Sequence, residues 1–198
     1  IEMVDEHYYN SPGWYFHHRD FYDDYDRNGT KVYLGEWASK GNHVTNALVE
    51  AAYLTNVERN ADVVTMTSYA PLLAKEGHTN WNPDLIYFNN TSVKPTVNYY
   101  VQRAFGHNSG SRYVYSNLEV NGGNDVKERI DHSVVVDEAT GDLIIKVVSL
   151  LPKASTVSIP LGERTNGYSN VAERTLMAQS ADPDKHKEWE KCETTPFT

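Results

Sequence analysis

The stretch Lys31-Val32-Tyr33-Leu34-Gly35-Glu36-Trp37-Ala38 joins an apolar run to a glycine, a carboxylate and an indole. Such a run reads as a buried strand that delivers Glu36 to an open rim, with Trp37 beside it as a wall for a ligand. A carboxylate placed in a cleft can serve as nucleophile, acid or base, and clefts are where perturbed carboxylates gather. The plainer alternative is that Glu36 caps the next segment or pairs with a surface base.

The elements around this stretch alternate. Residues 2–9 form a short strand ending in Glu6, His7, Tyr8 and Tyr9, and Asn10-Ser11-Pro12-Gly13 turns the chain. Over residues 14–26, Trp14, Phe16, Phe21, Tyr22 and Tyr25 recur at spacings of three and four, which predicts rings on one helical face. Apolar residues at Val44, Ala47, Leu48, Ala51, Leu54 and Val57 predict an amphipathic helix over about 44–59, with Asn42 as its N-cap. The β-branched run Asp62–Tyr69 is another buried strand. A long loop from Ala70 to Ser92 follows, then a helix over about 95–105.

Strand–helix alternation favours parallel strands joined by right-handed crossovers. Each strand then leaves polar or aromatic groups at its C-terminal end: His7 and Tyr8, Glu36 and Trp37, Ser68 and Tyr69. In parallel α/β architectures those ends share one face, where sites are built. Near Gly106–Gly110 the pattern changes to short β-type runs. Ile130–Val136 and Leu143–Leu151 flank a Gly-containing hairpin loop, and Ser155–Pro160 and Arg174–Gln179 are further candidate strands. This half is expected to be an antiparallel β-sandwich. The division is therefore residues 1–106 and 107–198, with a charged tail from Asp182 that lacks a closing element.

Composition narrows the partners. A formal net charge of -9 argues against nucleic acid, whose phosphates need a cationic surface. No apolar run approaches the length of a membrane-spanning helix. The one cysteine, Cys192, offers neither an intrachain disulfide nor a cysteine metal site, and the eight histidines show no metal-ligand spacing. No cofactor is expected. With 14 Tyr and 4 Trp, the rings can fill a core or line a sugar or peptide groove. Asn28-Gly29-Thr30 and Asn89-Asn90-Thr91-Ser92 fit the N-glycosylation pattern, which chance also produces. The opening Ile1-Glu2-Met3-Val4 reads as the middle of a domain, so a fragment of a longer chain is expected.

Five segments in order carry a family resemblance: Glu6-His7-Tyr8-Tyr9, Tyr22-Asp23-Asp24-Tyr25-Asp26-Arg27, Val32–Ala38, Ser68-Tyr69-Ala70-Pro71-Leu72-Leu73, and Trp81-Asn82-Pro83-Asp84-Leu85-Ile86-Tyr87-Phe88. Together they resemble the C-terminal portion of an α-L-arabinofuranosidase of glycoside hydrolase family 51. The resemblance is dense over residues 2–110 and weaker beyond. It implies the last three βα units of a (β/α)8 barrel, with 2–8, 31–36 and 62–69 on its sixth, seventh and eighth strands, followed by a β-sandwich. It also implies a retaining mechanism, in which one carboxylate attacks the anomeric carbon and a second protonates the leaving oxygen.

Glu36 matches the family's nucleophile. His7, Tyr8 and Tyr9 match a ring-bearing strand end where a tyrosine lies near that nucleophile; one of these hydroxyls would orient Glu36, although the rings could merely fill the barrel mouth. Trp81 and Asn82 lie in the loop after the last strand, where specificity is often carried. The family's acid/base follows an Asn, as Asn-Glu, at the end of the fourth strand, and this chain has no such element. Glu2 and Glu6 do not match it, and alternation sends Glu6 and His7 to opposite faces. The acid/base is therefore expected upstream of Ile1. The expected partners are an arabinofuranosyl-substituted carbohydrate, the missing N-terminal barrel and, in one reading, a second copy of the chain. A secreted or periplasmic setting is expected ahead of a cytoplasmic one. The alternative is a non-catalytic carbohydrate-binding or structural β-sandwich. A carboxylate at the rim of parallel strands distinguishes the two.

Overall fold

The computed structural model describes residues 1–153 and 155–161 throughout, and beyond them only the strand residues 170–171, 174–175, 190–191 and 195–196. Three parallel strands carry the architecture: β1 (Met3–Asn10), β2 (Lys31–Ser39) and β3 (Val64–Tyr69), hydrogen-bonded in that order. Helix α1 (Pro12–His17) and the turns after it link β1 to β2, and α2 (Val44–Arg59) links β2 to β3. The expected strand–helix–strand alternation is present.

One face of this sheet packs on the helices. Val32, Leu34 and Trp37 of β2 join Tyr15, Tyr22, Tyr53 and Val57 in the main core, all of them buried. The other face is open, and Met3 and Met66 are exposed there at 41% and 51%. Alternation along β1 sends Asp5, His7 and Tyr9 to the open face and Val4, Glu6 and Tyr8 to the helices. The expectation that Glu6 and His7 point apart is met.

Helix α1 is shorter than the ring spacing predicts. Ser11 caps it, accepting the Trp14 N–H at 3.2 Å, with Pro12 at its first position. It stops at His17, because residues 20–27 make tertiary bonds in place of helical ones. Tyr22 and Tyr25 both donate to Glu6, each at 3.2 Å. Arg27 bonds Asn60 at 2.7 Å and Asp62 at 2.9 Å.

Helix α2 runs over the predicted span, but its N-cap is His43, not Asn42. Asn46 Oδ1 accepts the His43 N–H at 3.2 Å, while Asn42 turns away to bond the Asp84 carbonyl and Asn98. Nor is α2 amphipathic. Sheet, α1, α3 and β8 surround it, so Asn46, Glu50, Thr55 and Asn56 are buried along with its apolar residues.

The expected 70–92 loop contains a small sheet of its own. Strands β4 (Leu73–Lys75), β5 (Ile86–Phe88) and β6 (Val93–Pro95) pair in that order. Helix α3 (Val97–His107) follows, with Thr96 accepting the Tyr99 N–H as cap. Next come β7 (Arg112–Tyr113), a short helix α4 (Asn124–Lys127), and the predicted hairpin of β8 (Ile130–Val136) and β9 (Leu143–Ser149). The segment 155–160 is not a strand. Of Arg174–Gln179, Arg174–Thr175 is strand β11, and the rest lies outside the described residues. The tail does pair back: β10 (Asn170–Val171) with β13 (Thr195–Pro196), and β11 with β12 (Glu190–Lys191). The molecule is thus mixed α/β, a parallel sheet followed by a small mixed sheet, in which β4 and β5 are parallel and β5 and β6 antiparallel, and then by antiparallel pairs.

Candidate active site

The open face receives Glu36 through an irregularity in β2. Leu34 pairs with Glu6 and Thr67, and Trp37 pairs with Tyr8 and Tyr69. Between those pairs β2 uses three steps where each neighbour uses two, so it carries one extra residue. This β-bulge at Gly35 breaks the alternation and turns Glu36 to the face of Tyr33 instead of the face of Leu34. Bulges of this kind re-aim side chains. A Cβ at Gly35 would lie 2.1 Å from Asp5 Oδ1, so any side chain there must displace the Asp5 carboxylate from its place beside His7.

Glu36 pairs with His7 across the sheet. Its Oε2 accepts the Tyr9 hydroxyl at 2.5 Å and lies 3.5 Å from His7 Nδ1. His7 Nε2 in turn lies 3.0 Å from Asp5 Oδ2, so Asp5, His7 and Glu36 form a line along the open face. Burial, then the bond to Glu36, raises the Tyr9 pKa well above the usual phenol range, and Tyr9 stays a donor at any physiological pH. The Glu36 side chain is 44% exposed, open to an incoming group. Tyr33 and Ser68 share a hydrogen bond of 2.6 Å and extend the polar surface toward β3.

Trp81 completes one wall. Its ring meets Tyr9 edge to face at 5.1 Å, and the residue is 45% exposed. Asn82, also exposed, accepts from the Tyr87 hydroxyl at 3.4 Å and belongs to the same loop.

Two expected site residues fall elsewhere. Tyr8 faces the helices, donating to Glu6 at 2.9 Å and stacking on Trp14. Trp37 is fully buried between Tyr15, Tyr53 and Tyr69 and is a core residue, not a wall. The reason is the same for both. They are register partners, and the pleat that turns His7 and Glu36 outward turns them inward. Tyr69, paired with Trp37, is likewise buried, so each strand end contributes one group to the open face and one to the core.

Sequence reasoning passed over Asp5 and Glu50. Asp5 has a signal in hindsight, since it stands two residues before His7 and so on the same face. Glu50 lies fully buried in α2, accepting from the Ser39 N–H at 2.9 Å and from Asn98 Nδ2 at 2.8 Å. Burial pushes its carboxyl up to about 8, against the pull of those two bonds. Its one signal was a carboxylate inside the apolar run Ala47–Leu54. Among the described residues no cluster of His, Cys, Asp or Glu could hold a metal, and no helix is long and apolar enough to cross a membrane.

Parallel strands that place an accessible, hydroxyl-held carboxylate beside an aromatic wall define a class of α/β protein that gathers its polar groups on one open sheet face. Comparison with known proteins narrows that class. Residues 24–195 match the α-L-arabinofuranosidase C-terminal domain family, and the chain belongs to that family. An extracellular exo-α-L-arabinofuranosidase of Streptomyces chartreusis is 57% identical over 116 residues, covering 59% of this chain and 14% of that protein. α-L-Arabinofuranosidase 1 of Arabidopsis thaliana is 36% identical over 125 residues, 61% of this chain and 18% of its own length. The chain therefore spans less than a fifth of these relatives. Among solved structures, an arabinose-bound α-L-arabinofuranosidase of glycoside hydrolase family 51 superposes with a TM-score of 0.68 at 32% identity, over 75% of this chain and 26% of that one. The Thermotoga maritima α-L-arabinofuranosidase, in its arabinose complex, shares the fold over the whole chain and 51% of its own, with a TM-score of 0.68 at 14% identity.

Proposed function

We propose that this chain carries the nucleophile half of a retaining α-L-arabinofuranosidase, with Glu36 as the nucleophile. The observation that carries the reading is the 2.5 Å bond from Tyr9 to Glu36 Oε2 on an accessible strand-end face. With Oε2 held, Oε1 attacks the anomeric carbon of a terminal arabinofuranosyl residue. The bond to the leaving oxygen breaks as a second carboxylic acid protonates that oxygen, giving an arabinofuranosyl ester on Glu36. Water then attacks the same carbon and gives a proton to the second carboxylate. The ester opens and arabinose leaves.

Residues 1–106 are read as the last three βα units of a (β/α)8 barrel and 107–198 as a β-sandwich. The second carboxylate then comes from barrel strands outside residues 1–198. Exposed Met3 and Met66 on the open face support a covering by such strands. Trp81 offers a face for sugar C–H groups, and His7 and Asn82 offer polar contacts. Arabinose-substituted polysaccharides and oligosaccharides are the proposed substrates, met outside the cytoplasm as for the Streptomyces relative, whose name describes it as extracellular.

The test is Glu36→Ala in the full-length polypeptide, assayed on an aryl α-L-arabinofuranoside. Turnover should fall at least about 10⁴-fold, the scale of losing a covalent nucleophile. Undiminished turnover removes Glu36 from this role.

A further inference from the structure

Glu50 is a fully buried carboxylate, and it stands behind the Glu36 rim, bonded to Ser39 at the end of the same strand. Its two oxygens accept from different elements. Oε1 takes the N–H of Ser39, the last residue of β2 and three beyond Glu36; Asn46 secures the Ser39 hydroxyl at 2.6 Å. Oε2 takes Asn98 Nδ2 in the first turn of α3.

From Asn98 the contacts continue outward. Asn42 Nδ2 donates to Asn98 Oδ1 at 3.2 Å and to the Asp84 carbonyl at 3.2 Å. Asn42 Oδ1 accepts from the Tyr87 hydroxyl at 3.3 Å, and that hydroxyl accepts the Asp84 N–H at 3.1 Å. Asp84, itself buried, follows Trp81 by three residues, and Trp81 meets Tyr9, which holds Glu36. The contacts close a ring that begins and ends at the carboxylate of the open face.

We infer that Glu50 is a positioning residue: it fixes the Trp81 loop against the rim that bears Glu36, by holding the end of β2 with one oxygen and the Asn98–Asn42–Tyr87 chain with the other. The inference rests on the reading of Glu36 as nucleophile and Trp81 as a substrate wall. A buried polar chain rigidifies when every member is satisfied, and it is costly to interrupt. Asn98 can reverse its amide to accept from a proton on Glu50 or from a glutamine in its place, at the cost of its bond from Asn42, whose Nδ2 stays on the Asp84 carbonyl.

The experiment uses the full-length polypeptide and compares Glu50→Ala, Glu50→Gln and Asn42→Ala, with Glu36→Ala as reference. Asn42 is only half-buried, so its variant keeps the test alive if Glu50→Ala does not fold. For Glu50→Ala and Asn42→Ala, KM for an aryl α-L-arabinofuranoside should rise about tenfold while kcat moves less than about threefold, the pattern of lost binding shared by ground and transition states. Amide exchange across residues 78–87 should quicken in both, and Glu50→Gln, which keeps contacts to Ser39 and Asn98 but loses the one between Asn98 and Asn42, should bring KM and exchange at least halfway back to the starting values. Unchanged KM and exchange in folded Asn42→Ala, or Glu50→Gln as impaired as Glu50→Ala, overturns the inference. Turnover surviving Glu36→Ala overturns instead the reading on which it rests, and the exchange data still report on the loop.

Discussion

Glu36 and Glu58 lie in regions that use the same side chain in opposite ways. On the open face, Glu36 is 44% exposed and held by a neutral hydroxyl. At the seam between α2 and the β8–β9 hairpin, the Glu58 side chain is 16% exposed, 2.5 Å from Lys146 Nζ and 2.5 Å from the Ser133 hydroxyl. A second ion pair, Arg19 with Asp131, reinforces the same seam, and Asn56 bonds Asp131 at 3.3 Å. A carboxylate neutralised by a buried ammonium is a tether with little nucleophilic use. One held by a phenol on an open face keeps its access. The difference teaches that partner chemistry and exposure, more than residue type, separate a reactive carboxylate from a structural one.

The seam has its own electrostatic signature. Burial raises the Glu58 pKa although Lys146 pulls it down, and burial lowers that of Lys146 although Glu58 pulls it up. Desolvation outweighs mutual attraction on both sides. Such a pair adds little over an apolar replacement of both partners, but breaking one side leaves an uncompensated group.

The sharpest way to break the comparison is to remove one charge from each region with little change of shape. In the full-length polypeptide, Glu36→Gln should lose activity nearly as far as Glu36→Ala, by at least about 10⁴-fold. Glu58→Gln should keep kcat/KM per folded molecule. Equal losses in both would erase the distinction. Next in size is Lys146→Met, which leaves the Glu58 carboxylate buried without its cation. It should lower unfolding free energy by about 3–5 kcal/mol in denaturant titration while active-site chemistry is retained.

Glu50 sharpens the comparison through pH. Its folded pKa, about 8, lies above the unfolded 4.5, so the native state binds the proton more tightly. Stability from this group is therefore greatest at low pH and is lost as pH rises from the unfolded value through the folded one. The neighbouring Tyr15 and Tyr69 hydroxyls are themselves raised by burial and stay neutral over that range. Relative to Glu50→Gln, the parent should lose about 2–3 kcal/mol between pH 5 and pH 7. A difference independent of pH would contradict the assignment. Smallest is Tyr9→Phe, which removes one hydrogen bond to a charged group and should lower kcat/KM about tenfold.

Much of the frame was legible because periodicity and burial reinforce each other. The apolar spacing from Val44 to Val57 places α2, and β-branched runs place β3 and the β8–β9 hairpin. The short α1 was not legible, because Tyr22 and Tyr25 leave the helical path to reach Glu6, a partner distant in sequence. The small sheet inside 70–92 was also hidden, its strands being three residues each.

Residue types and their order determined by themselves the parallel frame and the family, and they put Glu36 on the second strand, which runs three residues further, to Ser39, than the expected end at Glu36. Tertiary structure alone decided which neighbour of each pair faces the open side. His7 and Tyr8, Glu36 and Trp37, and Ser68 and Tyr69 are equivalent candidates on paper. The pleat splits each pair, and the extra residue at Gly35 sets which way Glu36 turns. A bulge depends on register with both flanking strands, β1 and β3, and register is a property of their pairing that no single segment encodes.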